Sequence, residues 1–317
     1  MRGTFGRAAA PRRLSALATC VCLLAMSHAN ATIVRFSTSA GDVDVRLFNG
    51  FTPNSVANFL GYVTTDRYEG TFIHRVPQSR SGGSSHFVVQ GGGFKLNNDI
   101  FAATGIETDD PIADEPGISN IRGTLAFAKN SLGATSQWFF NVGDNSFLDA
   151  QNFTVFGRVL GGGMQVVDLI DNLPAINASA AETPNTGEDF DEVPVFDVEK
   201  VISQQTIRND DAVMVNSIRV LDLPAGDYNF DGVVDMADYI LWRDSLGSTL
   251  DVAADGDGSG MVDAADYGIW KNNFGQSSAA ALNASSSSLN VPEPATAVSA
   301  IAGLLALVGW RRTTHRP

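Results

Sequence analysis

Cysteine is almost missing from this chain of 317 residues: there are two, Cys20 and Cys22, and both lie in one apolar run near the N-terminus. Arg2, Arg7, Arg12 and Arg13 precede that run, Leu14 to Met26, and Ala29-Asn30-Ala31 offers small residues at a cleavage point, the pattern of a secretory leader. Removing residues 1–31 leaves a mature chain from Thr32 with no cysteine, which excludes a thiol nucleophile, a disulfide and a cysteine-bound metal. Lipidation at Cys20 is the weaker reading, because the apolar run continues past it. Histidine is nearly as scarce. Of the four, His28 lies in the leader and His315 in the last residues, so a zinc hydrolase or a serine–histidine enzyme would have to be built on His74 or His86. Neither is followed by a recognisable partner motif. Positive charge is short as well, with 21 Lys and Arg against 35 Asp and Glu. The leader carries away four arginines and no acid, so the net charge moves from −14 to −18. A surface of that sign repels phosphate backbones and argues against a nucleic-acid partner.

What is present reads as a globular chain, 44% hydrophobic and 18% charged, long enough for two folded units with appendages. Residues 32–48 alternate apolar and polar side chains about Ala40-Gly41-Asp42 and predict a hairpin. Thr52 then caps a helix with Pro53 at its first position and Val56, Phe59, Leu60 and Val63 at helical spacing. A second helix is expected from the Gly161–Gly163 turn, with Met164, Val167 and Ile170 on one face, stopping before Pro174. Between them GTLAFA, WFFNV and FTVFGRV are strand-like runs separated by turns, so the middle is mostly antiparallel sheet, whose exposed edges a closed barrel would remove. Residues 177–192 are acidic and turn-rich, a surface loop. The chain is expected to return to the barrel at VPVFDVEKV and again at VNSIRVLDL, ending near Leu223.

Two stretches carry the chemistry. In TFIHRVPQSRSGGSSHFVVQGGGF, from Thr71 to Phe94, an isolated cation, Arg75, follows His74, and Phe87, Val88 and Gln90 run into three glycines. In the apolar block from Gly123 to Asp149, Gln137 precedes Trp138, Phe139 and Phe140. Together these residues resemble the cyclophilin family of peptidyl-prolyl isomerases. The resemblance rests on HRV at His74–Val76, FVVQGG at Phe87–Gly92, GTLAFAK at Gly123–Lys129, SQWFFNV at Ser136–Val142 and FTVFGRV at Phe153–Val159, in the family's order, and it covers residues 32–223. It implies a mainly β fold, a closed antiparallel eight-stranded barrel with two capping helices, and rotation of X–Pro bonds in protein substrates with no metal or cofactor. Arg75, Gln90, Phe139 and His74 fall at the family's catalytic positions. Phe87, Val88, Phe139 and Leu148 would line the proline pocket. Ala128, Lys129 and Gln137 would meet the peptide backbone, with His74 and Phe147 at the rim and Phe153 on one wall. Phe147 stands where many members have tryptophan, which speaks against tight cyclosporin binding, and the Ser/Gly-rich stretch between Arg75 and Phe87 is longer than the family's turn. Taken singly, a strand arginine is a surface charge, an aromatic is core and His74 is a packed residue. A non-catalytic, proline-binding member of the family stays open here.

From Asp227 the chain repeats with a period of 28: DYNFDGVVDMADYILW, Asp227–Trp242, is followed by DGDGSGMVDAADYGIW, Asp255–Trp270. Acids recur at positions 1, 9 and 12 of a calcium loop, position 3 is Asn229 or Asp257 and position 5 is Asp231 or Ser259, with Gly232 and Gly260 at position 6 for the sharp turn. The bland reading is a pair of solvated acidic turns. The pair, residues 225–276, resembles a dockerin, a small α-helical module of EF-hand-like loops. That implies Ca²⁺ held by Asp227, Asn229, Asp231, Asp238, Asp255, Asp257, Ser259 and Asp266 with the carbonyls of Val233 and Met261, and a cohesin-like partner. Tyr239, Trp242, Tyr267 and Trp270 form either the small core, the favoured reading, or a docking face. Attachment through this module, with the barrel as spacer, is a third reading of the whole chain. Residues 277–290 are a low-complexity linker. Residues 291–317, with Pro292-Glu293-Pro294, an apolar stretch and Arg311-Arg312, resemble a PEP-C-terminal sorting signal that an exosortase-type enzyme would read. Ala295–Trp310 is short of the ~20 apolar residues that span a bilayer, which favours a transient anchor. The expected location is the periplasm, the cell surface or beyond.

Overall fold

The computed structural model of the protein describes residues 32–79, 83–84, 86–97, 102–178, 190–249 and 252–278. The leader, the PEP-like tail, nearly all of the linker, most of the acidic stretch 177–192 and part of the Ser/Gly stretch before Phe87 lie outside the described residues. No helix among those described is long and apolar enough to cross a membrane.

Alternation sends Val34 and Phe36, then Val43, Val45 and Leu47, to the interior, so β1 (Ile33–Thr38) and β2 (Gly41–Leu47) pair as the expected hairpin. Helix α1 (Pro53–Thr64) begins with its proline where predicted, but Thr52 does not cap it. The Thr52 hydroxyl donates to the Phe48 carbonyl, and the free N–H groups of Asn54 and Ser55 instead find the Glu115 carboxylate at 3.1 and 2.8 Å. A carboxylate there also meets the positive end of the helix dipole. Strands β3 (Thr71–Phe72), β4 (Gln78–Ser79), β5 (Gly83–Ser84), β6 (Val88–Gly91), β7 (Phe94–Asn97), β8 (Ala102–Gly105), β9 (Thr124–Asn130), β10 (Gly133–Asn141) and β11 (Val155–Val159) precede α2 (Gly163–Asp171), the second predicted helix. After it come β12 (Ala175–Ile176), β13 (Val193–Pro194), α3 (Val198–Gln204) and β14 (Met214–Val220).

In place of a closed eight-stranded barrel there is one curled antiparallel sheet of ten strands, ordered β6-β10-β9-β11-β2-β1-β14-β3-β7-β8. Its end strand β6 meets the chain just past β3 at an isolated bridge, where His74 N–H donates to Gln90 O at 3.2 Å and Gln90 N–H to Arg75 O at 2.9 Å. The reason is local. After Phe72 the backbone changes partner, Ile73 still donating to Val213 but His74 already to Gln90, so one short segment serves both neighbours. The return at 193–201 also differs from expectation. Pro194 has no N–H to offer a ladder, β13 pairs only with β12 among the described residues, and the Asp197 carboxylate accepts from Lys200 N–H to start α3. VNSIRVLDL does rejoin the sheet as β14, between β1 and β3.

The main core lies between the sheet and α1 and α2, around Phe36, Phe59, Tyr62, Tyr68, Trp138, Phe140 and Phe156. A second cluster under α3 joins Phe72, Phe94, Phe190, Val195 and Val201, and a third holds Phe48, Ala126, Phe139, Leu148 and Val155. In the C-terminal module, α4 (Met236–Ser245) and α5 (Ala264–Asn273) each begin with a capping box, Asp235 with Asp238 and Asp263 with Asp266. Their aromatics are core, as favoured: Tyr239, Trp242 and Tyr267 pack on Tyr228, Val234, Val262 and Trp270. Each tryptophan also ties to the other unit's loop, Trp242 Nε1 to Asp263 O and Trp270 Nε1 to Asp235 O, both at 2.7 Å.

Candidate functional site

The period of two along β10 splits its side chains: Trp138 and Phe140 face the main core, while Gln137 and Phe139 face a cleft on the other side. β6 lies antiparallel to it with Phe139 opposite Gln90. The glycines that follow Gln90 make room for β10. A Cβ on Gly92, whose φ is +82°, would come within 2.5 Å of Trp138 Nε1, and one on Gly93 within 2.9 Å of Gln137 Cγ. Arg75 is held opposite Gln90 by the isolated bridge.

The result is a cavity of about 480 Å³ lined by ten of the twelve residues expected at the slot: Arg75, Phe87, Val88, Gln90, Ala128, Lys129, Gln137, Phe139, Leu148 and Phe153. At its head the polar groups form a chain. Arg75 Nη1 donates to Gln90 Oε1 at 3.3 Å, and Gln90 Nε2 donates to Gln137 Oε1 at 2.8 Å, which fixes the way round of the Gln90 amide. The floor is apolar, with Val88, Phe139 and Leu148 buried in the third cluster. Asn145 Nδ2 donates to Phe87 O at 2.8 Å and holds one wall. Lys129 is engaged at the rim, its Nζ 2.5 Å from Asp114 and 5.3 Å above the Phe153 ring. Phe147 does not line the cavity; it is 59% exposed and stacked on Phe87, which does, at 5.8 Å between ring centroids.

Two expectations need correction. His74 is not at the rim: it is 1% exposed, its ring edge-on to Phe94 in the second cluster. Burial, aided by the charge of Arg75, lowers its pKa to about 3 and keeps it neutral. Its neighbour in sequence faces the cleft because adjacent residues of an extended chain point opposite ways. Arg75 itself is less shielded than expected, with 36% of its side chain exposed. The sequence reading also missed Glu192, whose Oε2 lies 3.6 Å from Arg75 Nε, and its neighbour Asp191. They arrive from a distant segment, pinned where Val76 N–H donates to Glu192 O, and no local pattern announces them. Thr135 was findable, two residues before Gln137 on the same face.

The family described as cyclophilin type peptidyl-prolyl cis-trans isomerase/CLD matches residues 33–189. A peptidyl-prolyl cis-trans isomerase of Acinetobacter baylyi is 42% identical over 161 residues, 48% of this chain and 79% of that protein. Peptidyl-prolyl cis-trans isomerase A of Dickeya dadantii is 39% identical over 178 residues, 52% of this chain and 87% of its own. Isomerase B of Escherichia coli is 37% identical over 149 residues, 44% and 83% of the two chains. The chain belongs to the cyclophilin-type peptidyl-prolyl cis-trans isomerases. This cyclophilin is an enzyme of X–Pro rotation, and its family match stops short of β14, which nevertheless completes the sheet.

Apart from the cleft, the cyclophilin carries the paired acidic loops. In the second, one oxygen each of Asp255, Asp257 and Asp266 lie within 4.8 Å of one another, with Asp255 and Asp266 fully buried. Ser259 and Met261 stand beside them, Ser259 Oγ donating to Met261 O at 3.1 Å. In the first, Asp227 is 4% exposed; its Oδ2 accepts from Gly232 N–H, while its Oδ1 has no hydrogen-bond partner among the described residues. Asn229 and Asp231 bond to one another at the mouth of this loop, Asp231 Oδ1 accepts from Val233 N–H, and Asp238 accepts from Tyr228, Asn229 and Asp235 N–H. Burial pushes the carboxyls of Asp227 and Asp255 up to about 6 and raises those of Asp238 and Asp266.

Proposed function

We propose that Arg75 is the group that accelerates rotation, with the proline ring seated on Val88, Phe139 and Leu148. Rotation about the peptide bond meets a barrier of about 18–20 kcal/mol because the nitrogen lone pair is delocalised into the carbonyl. In the twisted amide that lone pair is localised and basic. A donor aimed at the nitrogen therefore stabilises the twisted state over both planar ones, which is the requirement for catalysis. No bond is made or broken, so no general base, metal or cofactor enters. Gln90, fixed by Gln137, holds Arg75 in place and presents its amide to the substrate backbone, while Ala128, Lys129 and Gln137 guide the flanking residues. Phe87 and Phe147 form the rim, Phe153 the far wall, and a bound peptide completes the shielding that Arg75 lacks. His74 acts through packing beside Arg75. The observation that carries this reading is the Arg75–Gln90–Gln137 chain at the head of an apolar slot.

The test is NMR exchange, or a protease-coupled assay, on a proline tetrapeptide. Arg75→Ala is expected to lower kcat/KM by about 10²–10³, the loss typical of one preorganised donor, with the far- and near-UV circular dichroism unchanged. Undiminished exchange in a folded Arg75→Ala would refute it.

The acidic loops fit Ca²⁺: their side-chain and carbonyl donors are all oxygen, and Asp227 keeps a buried oxygen with no hydrogen-bond partner among the described residues. Asp227, Asn229, Asp231, Asp238 and the Val233 carbonyl would hold one ion, and Asp255, Asp257, Ser259, Asp266 and the Met261 carbonyl the other. The ion, when bound, supplies a divalent positive charge among these carboxylates. The leader and the PEP-like tail support export and handling by an exosortase-type sorting enzyme. The dockerin-like pattern supports tethering to a cohesin-like partner, so that the clients are proline-containing proteins outside the cytoplasm.

A further inference from the structure

Three asparagines are buried around the end of β10: Asn141, its last residue, Asn145 just beyond it and Asn120 in the segment that leads into β9, at 0, 3 and 0% exposure. Their side chains form one relay. Asn145 Nδ2 donates to Phe87 O at 2.8 Å and to Asn141 Oδ1 at 2.7 Å. Asn141 Nδ2 donates to Asn120 Oδ1 at 3.2 Å and to Thr124 Oγ1 at 2.8 Å. Asn120 Nδ2 donates to Phe153 O and to Asp149 Oδ1, both at 3.0 Å. All six side-chain N–H groups of the three amides are spent in this way, which fixes the way round of each. The far end is anchored, because the Asp149 carboxylate also accepts from Asn120 N–H at 2.9 Å and from Ser119 Oγ at 2.5 Å.

The two ends of the relay are walls of the slot. Phe87 and Phe153 both line the cavity, and the relay ties the backbone of one to the backbone of the other. Its middle also carries the floor, since Leu148 N–H donates to Asn145 O at 2.8 Å. Apolar side chains could fill the same space without the cost of taking three amides out of water. A fully satisfied buried network adds something that they do not, a single arrangement of the segments it joins. We propose that Asn141 is a positioning residue for the isomerase: by joining the Asn145 and Asn120 halves of the relay it fixes the width of the slot, and so restricts the enzyme to a five-membered ring. Asn141 is not among the described residues that line the cavity, so it acts through Phe87 and Phe153. The inference rests on the reading that the proline ring sits on Val88, Phe139 and Leu148. One extra methylene is discriminated by about 10- to 200-fold in an apolar pocket, and walls free to part give that up. The Arg75–Gln90–Gln137 chain is built on other residues, so the loss falls on binding more than on rotation.

The full chain is assayed by NMR exchange on a proline tetrapeptide and on its pipecolate twin, whose ring has one more methylene. Wild type is expected to prefer proline about tenfold or more in kcat/KM. Asn141→Ala is expected to cut that preference about fivefold or more, and to raise KM for the proline peptide by a larger factor than it lowers kcat. A merely structural loss lowers both peptides alike, so a folded Asn141→Ala that keeps the wild-type preference overturns the proposal. Should Asn141→Ala not fold, Asn145→Ala is read in the same way; it leaves Phe87 O the Val142 N–H at 3.0 Å. Should neither fold, wild type decides: a preference of about tenfold or more supports the proposal, and a smaller one overturns it. Leu148→Ala, which opens the floor directly, separates this proposal from the reading beneath it. If Leu148→Ala lowers the preference and Asn141→Ala does not, the proposal alone falls. If neither lowers it, the seat assigned to the proline ring falls as well.

Discussion

Replacing His74 by Phe should flatten the dependence of stability on pH. In the folded protein the imidazole is enclosed by Phe72, Phe94 and Phe190, and burial, with a contribution from Arg75, carries its pKa from the ordinary 6.5 to about 3. Unfolding releases it to 6.5. Between those values the unfolded chain binds a proton that the folded one refuses, so stability rises with pH across this window and is lost as pH falls below 6.5. The slope approaches 1.36 kcal/mol per pH unit, and from pH 7 to 5 the loss is about 2 kcal/mol. For a domain of this size that is roughly 4–8 °C in Tm. The assay is calorimetric melting of wild type and His74→Phe in parallel from pH 7 to 5; the difference between them cancels every other titrating group. Wild type should lose the larger share. Parallel curves would refute the burial argument, and so would an inflection near pH 6.5 in kcat/KM that disappears in His74→Phe, because a histidine held neutral has no ionisation there to report.

Three further outcomes are expected. Gly92→Ala would set a methyl against Trp138 and force a left-handed backbone on alanine, and should destabilise by about 2–4 kcal/mol in urea titration; a change below 1 kcal/mol would mean that the close approach is not real. Glu192→Gln should reduce discrimination between lysine- and glutamate-flanked proline peptides by about two- to fivefold in kcat/KM, the range of a partly exposed charge pair, and an unchanged ratio would remove Glu192 from the substrate path. Stripping calcium with EDTA should lower the melting temperature of the Asp227–Asn273 region by more than 10 °C, followed through Trp242 and Trp270 fluorescence, since so small a core depends on its ligand; an unmoved transition would argue against metal in the loops.

The parts legible in the sequence are those that a short window can hold. Val34, Phe36, Val43 and Val45 declare a hairpin by their alternation, Pro53 marks a helix start, and the repeat from Asp227 to Trp270 fixes two loop–helix units. The slot was legible for a similar reason: Phe87, Val88 and Gln90 share one segment, Gln137 and Phe139 another. What escaped depends on distant residues meeting. Glu115 caps α1 from sixty residues away, so Thr52 is spared a role it is well suited to. Glu192 reaches Arg75 from the far side of the acidic stretch. Whether an isolated HRV shows its histidine or its arginine to the cleft is decided by the sheet around it. The end strand β6 of the curled sheet meets the segment past β3 only through the isolated bridge of Arg75 and Gln90 among the described residues, because partner exchange at Ile73 and His74 is a property of Val213 and Gln90 as much as of the segment itself.

The placement of β14 governs how the domain comes to be assembled. Phe36 waits for Ile218 and Val34 for Val220, so the first hairpin to leave the ribosome holds one sticky border bare until almost the whole domain has been made. A fragment trimmed at residue 189 would keep Arg75, Gln90 and Phe139 yet lack the rib between β1 and β3. Such a fragment should clump rather than turn over peptide.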